Sequence, residues 1–361
     1  MSESCGLESW LRLTLAAGVG LETQRALLTA FGLPEAVFAS GRSAIATRFG
    51  PRVAEALFDD ALEPAIAAGL EWADKPGNRL LSLADPDYPP QMLQSADPPT
   101  LLYLKGRAEL LARDSLAIVG SRDATAQGIA NAEAFAETLS RSGLAIVSGL
   151  ALGIDAAAHR GGLRGDGGTI ALIGTGADRI YPARNAELAR EIAERGVVVS
   201  EFPLGTPPLR ANFPRRNRLI AGLARGTLVV EAALQSGSLI TARLAGELGR
   251  DVFAIPGSIH SPLSKGCHQL IREGAKLVES AQDIAEEIGW AKNLEPAAAS
   301  GPAGSADEER LLATMGFDPV DADTLCERSK LTPDALFAML LALELAGRVA
   351  RLPGGRFARL P

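Results

Sequence analysis

One alternation constrains this chain more than anything else in it. From Ser115 onward, apolar runs of strand length take turns with segments of helical spacing. The runs fall at 116–119, 145–148, 169–173, 197–200, 228–231, 252–255 and a short 276–278. The intervening segments predict helices at 126–142, 154–163, 185–195, 217–224, 239–248 and 267–273. Each run is continuously apolar rather than alternating, as expected of parallel strands covered on both faces. Strand and helix in regular succession imply a doubly wound α/β fold with a mainly parallel sheet.

The flanking sequence divides differently. Residues 1–75 read as short helices separated by Gly18-Val19-Gly20 and by Gly32-Leu33-Pro34. Two readings stand for this part. A helix-hairpin-helix or SAM-like domain would present backbone amides to DNA phosphates. A helical packing or dimerisation domain is favoured by its acids, Glu3, Glu8, Glu22, Glu35, Asp59 and Asp60. Residues 76–290 form the α/β core, with a Pro-punctuated lead-in that predicts two further edge strands at 79–83 and 101–105. A small, Pro/Gly-rich linker is expected over 291–306. Residues 307–361 predict three helices and a hairpin around Pro353-Gly354-Gly355, a winged helix in which Thr332 caps a helix begun by Pro333. Its wing arginines Arg348, Arg351, Arg356 and Arg359 are candidate contacts to a DNA backbone. A protein-interaction module is an equal reading, because the first two helices are acidic.

In an open parallel sheet, ligands bind beyond the carboxyl ends of the strands. There the sequence places Gly120-Ser121-Arg122, Ser148-Gly149 with Gly153, Gly174-Thr175-Gly176, Ser236-Gly237-Ser238 with Thr241, and Gly257. Glycine admits a ligand close to the backbone, and free amides at a helix start attract anions. Several such loops on one edge predict a phosphate-lined groove.

A basic island adjoins them. No acidic residue occurs between Phe202 and Val230, a window holding Arg210, Arg215, Arg216, Arg218 and Arg225 in a chain of formal net charge −7. Arginine forks match phosphate oxygens. Phe213 sits beside Arg215, Arg216, Asn217 and Arg218, either to stack a base or to anchor the loop. Backbone charge with a stacking ring suits a single strand of nucleotides.

Other classes are disfavoured. Neither Gly-x-Gly-x-x-Gly after the first strand nor a Walker A motif occurs, so no dinucleotide cofactor or nucleoside triphosphatase is expected. Histidines are confined to His159, His260 and His268 and lack metal-ligand spacing, so neither a metal nor another cofactor is expected. Asp155 and His159, one helical turn apart, could form an acid/base pair; an N-capping Asp and a packed His is the favoured reading. Three dispersed cysteines fit a reducing cytoplasm. No signal peptide and no membrane segment is read.

Assembled, these residues resemble the DNA-processing protein A (DprA/Smf) family of recombination mediators in natural transformation. The resemblance rests on Ala117 to Arg122, Val147 to Asp155, Tyr181-Pro182, Ser200 to Pro203, Phe213 to Ile220, Ser236 to Ala242 and Ile255-Pro256-Gly257. It implies an extended Rossmann-like core that binds single-stranded DNA without catalysis, a homodimer through that core, protection of incoming strands and loading of RecA. It places contacts on the Gly120–Arg122 and Ser148–Gly149 loops and on Phe213, Arg215, Arg216 and Arg218. An enzymatic alternative, nucleoside monophosphate phosphoribohydrolase chemistry with Asp155, His159 or Glu201 as acid/base, also follows from the core's relatives.

Overall fold

The computed structural model describes residues 2–294, 305–316 and 318–360. Most of the expected linker, 295–304, lies outside the described residues.

Nine strands form the central sheet. β1 (Asn78–Ser82) and β2 (Leu101–Gly106) are followed by β3 (Ser115–Val119), β4 (Ala145–Ser148) and β5 (Thr169–Leu172). β6 (Val197–Ser200), β7 (Gly226–Val229), β8 (Asp251–Ala254) and β9 (Lys276–Leu277) complete it. The order is β1-β2-β6-β5-β4-β3-β7-β8-β9. β3 to β9 run parallel, while β1 and β2 add an antiparallel edge against β6. The chain winds from β3 to β6 in one direction and returns to place β7 on the other side of β3. The topological switch therefore lies between β3 and β7. Ile118, Val147, Ile170, Val199 and Leu228 are fully or almost fully buried, which is why their runs carry no alternation.

One helix begins earlier than its sequence suggests. Expected from 217, it runs Asn212–Leu223 with Pro214 in its first turn. Arg215, Arg216 and Arg218 are thus helical, and their side chains fan out around an axis instead of lining one side of a loop.

Six helices between Ser2 and Ala73 precede the sheet. Leu11, Leu13, Val19, Leu27 and Val37 bury into one core together with Leu80, Leu101 and Tyr103 of the sheet's edge. The Gly18-Val19-Gly20 turn faces this junction. Val19 is buried, its carbonyl accepts from Gln24 Nε2 (2.9 Å), and Gln24 also meets Thr100 of the core. Gly18 and Gly20 on either side of Val19 stay exposed.

The winged helix comprises Ala306–Met315, Ala322–Ser329 and Pro333–Leu345. They pack on a three-stranded sheet of β10 (Val320–Asp321), β11 (Val349–Leu352) and β12 (Arg356–Arg359), ordered β10-β12-β11. Thr332 caps the last helix by accepting from the Ala335 amide.

Candidate nucleic-acid interface

The carboxyl ends of β3 to β8 share one edge, where the loops singled out by sequence come together. Their glycines serve a different purpose from the one expected. A Cβ on Gly149 would lie 2.2 Å from Arg216 Nη1. One on Gly153, whose φ is +73°, would lie 2.3 Å from the Ser121 carbonyl. Gly120, Gly174, Gly176 and Gly257 likewise face Ile154, Phe213, Asp178 with Pro203, and Ser264. Only Gly237 of this set opens onto empty space. Loop packed against loop, rather than loop against ligand, accounts for most of these positions.

The amides are also largely engaged within the protein. Asp155 accepts from the Gly149 and Ala151 amides (3.1 and 3.3 Å) and is not an N-cap; Gly153 holds that place. His159 Nε2 accepts from the Leu150 amide (3.2 Å), so the ring proton sits on Nδ1 and is shared with Thr169 Oγ1 (2.7 Å), which donates to the Ile146 carbonyl. Burial, with Arg216 and Arg160 nearby, drives the His159 pKa down to about 3, so the ring is neutral. Burial raises the Asp155 pKa, against the pull of Arg216 and two amide hydrogen bonds.

At the switch point stands Glu231, which sequence reasoning passed over. Its carboxylate accepts from the Thr125 amide (2.9 Å) and hydroxyl (2.6 Å) at the start of helix Ala126–Arg141. A nucleotide fold would hold a phosphate at such a helix start. Here a side-chain anion occupies the place, which explains physically why no dinucleotide fingerprint is needed. No local signal in the sequence marks Glu231, since it follows β7 and reaches a helix more than a hundred residues earlier.

The arginine island is partly neutralised. Arg218 pairs with Glu201 and with Asp97 (3.1 Å), and Arg215 pairs with Glu201 (3.3 Å). The Glu201 side chain is only 1% exposed. Burial raises its pKa, opposed first by Arg218 and then by Arg215. Arg216 is buried, its Nη1 donating to the Gly149 and Leu172 carbonyls. Burial lowers its pKa to about 10, with Asp155 pulling it back up.

Expectations of direct contact are therefore corrected for four residues. Arg216, Ser148 and Thr241 turn inward: Ser148 Oγ donates to the Ile118 carbonyl (2.6 Å), and Thr241 is 1% exposed. Ser238 is also buried, and its hydroxyl contacts Ser236 Oγ (2.6 Å). The physical cause is packing against strand ends, where a polar side chain is retained to satisfy a backbone group.

What stays accessible is a compact cluster. Phe213 is half-buried over Gly174, 5.7 Å from the exposed Tyr181 ring, with the Arg122 guanidinium 5.9 Å from its centroid. Arg122 is exposed and has no ion pair among the described residues. Arg215, about half exposed, lies over Phe202 (5.3 Å). The helix that carries Phe213 has no side-chain cap and no acid in its first turn. Asn217 donates to the Gly237 carbonyl (3.4 Å), tying this helix to the Ser236 loop. Gly257, beyond β8, joins none of these contacts. In the wing, Arg351 and Arg356 are exposed, whereas Arg348 pairs with Glu309 (2.7 Å) and Arg359 donates to the Leu312 carbonyl (3.2 Å).

A doubly wound sheet whose strand-end edge carries cations and stacking rings, with its nucleotide position filled by Glu231, defines a Rossmann-like protein without a cofactor fingerprint. The family follows from comparison. A DNA recombination-mediator protein A model matches residues 79–289, and a DprA winged helix model matches 295–355, so the chain belongs to the DNA recombination-mediator protein A family. Protein Smf of Escherichia coli K12 is 43% identical over 81% of this chain and 80% of its own. The Streptococcus pneumoniae DNA processing protein DprA is 51% identical over 57% of this chain and 73% of its own. A solved structure of DprA from Streptococcus pneumoniae superposes with TM-score 0.67 at 42% identity, covering 77% of this chain and 95% of that one. Another, of the Helicobacter pylori DNA processing protein A described for its single-stranded DNA binding mode, gives TM-score 0.54 at 31% identity over 60% and 97%.

Among the described residues, no helix is long and apolar enough to cross a membrane.

Proposed function

We propose that this chain is a non-enzymatic recombination mediator of the cytoplasm that holds single-stranded DNA, protects it during natural transformation and loads RecA onto it. The observation that carries this reading is the Phe213, Tyr181 and Arg122 cluster beside an uncapped helix start. A base stacks on an aromatic face whatever its identity, while arginines take the adjoining phosphates. Arg122, Phe213 and Arg215 are the primary contacts, with Asn217, Ser236 and Gly237 along the same edge. The family and the strand-binding relative from Helicobacter pylori agree with this choice of ligand.

Pairing of two cores extends the groove. Exposed Leu234 flanks a groove of about 950 Å3 between helices Gly237–Glu247 and Lys265–Arg272, whose lining mixes Leu239, Ile240 and Leu270 with Arg243, Glu247 and Glu273, and this is the surface assigned to a second copy. A hydrolytic role has less support. Asp155 and His159 spend their lone pairs on backbone amides, and Glu201 is clamped by arginines.

Binding of single- and double-stranded oligonucleotides across a salt series tests the proposal. Preference for single strands, little sequence dependence and steep loss with salt are expected. Equal affinity for duplex, or release of base from nucleoside monophosphates by the purified protein, would overturn it. RecA loading is tested separately, by filament assembly on strands precoated with single-strand binding protein. No acceleration by this protein would remove that part.

A further inference from the structure

Arg122 stands in the turn between β3 and helix Ala126–Arg141. Its guanidinium is exposed, has no ion pair among the described residues and lies 5.9 Å from the Phe213 centroid. No carboxylate therefore fixes where this charge points. Both ends of the turn, however, are tied to one residue beyond β7. The Glu231 carbonyl accepts from the Ser121 amide (2.7 Å), just before Arg122. The Glu231 carboxylate accepts from the Thr125 amide (2.9 Å) and hydroxyl (2.6 Å), three residues after it. The Thr125 hydroxyl oxygen also accepts from the Gly128 amide (3.0 Å), so the same contact sets the turn and the helix start together. Gly128 is shaped to this carboxylate. It is buried in the helix's first turn, and a Cβ there would lie 2.6 Å from Glu231 Oε2. Glycine inside a helix costs stability against alanine, and room for Glu231 explains its presence.

We propose that Glu231 is the positioning residue for Arg122, holding its turn in the strand-ready arrangement before any ligand arrives. In nucleotide-binding sheets of this kind, the corresponding turn closes around a bound phosphate. Here the anion is internal, so an incoming strand meets a turn that is already ordered, and ordering it does not weaken the complex. The proposal rests on the reading of Arg122 as a strand contact and adds a residue that touches no DNA. It also carries an unusual consequence. By charge alone, removing a carboxylate from a phosphate-binding edge tightens binding. If Glu231 acts by position, removing it weakens binding instead, because Arg122 no longer meets its phosphate.

The test uses the full chain and a labelled oligothymidine. Glu231→Ala should weaken affinity by about 3- to 10-fold, as part of an arginine–phosphate contact is lost. It should also flatten the slope of log affinity against log salt by up to about 0.7. Gly128→Ala should do the same with the net charge kept. Its methyl group displaces the carboxylate, which is the flexible end of a side chain, while alanine favours the helix. In an Arg122→Ala background neither substitution should weaken binding further. Unchanged or tighter affinity in a variant that melts like the parent overturns the proposal. So does an undiminished effect in the Arg122→Ala background, which a purely structural role would give. Should Glu231→Ala melt early, Gly128→Ala decides. Should the parent itself hold no strand, the reading of Arg122 falls separately, and hydrogen exchange tests the turn without DNA. Amides of residues 121–125 are expected to exchange faster in both variants than in the parent, with exchange elsewhere unchanged. Equal exchange in that segment overturns the role of Glu231.

Discussion

Replacing Phe213 separates stacking from charge. The ring is half-buried over Gly174, where a Cβ would come within 3.1 Å of it, and Arg122 lies 5.9 Å from its centroid. Fully buried phenylalanines cost about 3–5 kcal/mol when cut to alanine, so this one costs about 2 kcal/mol and leaves a domain of ordinary stability folded. Phe213→Leu keeps most of the packing and removes the aromatic face. Loss of one stacked base is worth roughly 1–3 kcal/mol, which is a weakening of about 5- to 150-fold. The cation–π contact adds about 0.5–1 kcal/mol at most, by loosening Arg122. Fluorescence anisotropy with a labelled oligothymidine reads both variants. Plots of log affinity against log salt should drop in parallel for Phe213→Leu and Phe213→Ala, because no phosphate contact is lost. Arg122→Ala should instead flatten the slope by about 0.7, the value for one phosphate on a single strand. Affinity within twofold of the parent at every salt concentration would refute the stacking role. So would a change of slope as large as that of Arg122→Ala.

Arg216→Ala should act through the fold, because it strips the Gly149 and Leu172 carbonyls and Asp155 of a buried partner; a loss of about 3–5 kcal/mol is expected in denaturant titration, against under about 0.5 kcal/mol for exposed Arg122→Ala. Glu201→Gln should lower stability by about 1.5–3 kcal/mol, because Arg218 loses one of its two carboxylates and keeps Asp97, yet hold or tighten strand affinity as Arg215 is released; lost affinity in the folded variant would contradict this. His159 governs acid sensitivity. Its folded pKa is about 3 against an ordinary 6.5, so between those values the unfolded chain takes up a proton that the folded chain refuses. Stability from this group is whole above about pH 6.5 and declines below it by up to about 1.4 kcal/mol per pH unit. The raised pKa values of Asp155 and Glu201 act in the opposite sense, so the measurement is the difference between parent and His159→Gln. That difference should shrink from pH 7 to pH 4, and a constant difference would exclude the account.

Much of the architecture was legible from local pattern. Continuous apolar runs mark buried parallel strands because each strand contributes both its faces, and their alternation with helices leaves few ways to pack. Thr332-Pro333 marked a helix start because capping acts within one turn. The groups that shape the strand-end edge were less legible. Arg215, Arg216 and Arg218 are adjacent in sequence and looked equivalent, but on a helix they diverge: one half-exposed, one buried beneath Gly149, one clamped to Glu201 and Asp97. A window without acids did not stay without them, since Glu201 and Asp97 arrive from other segments. Glycines read as room for a ligand proved to be room for Arg216, Ile154 and Phe213. Local propensity and burial pattern are short-range in the chain and survive in the sequence alone. Charge pairing, and the accessibility of an aromatic face, depend on which distant segments meet, and that is settled only when the sheet order brings β4, β5 and β6 side by side.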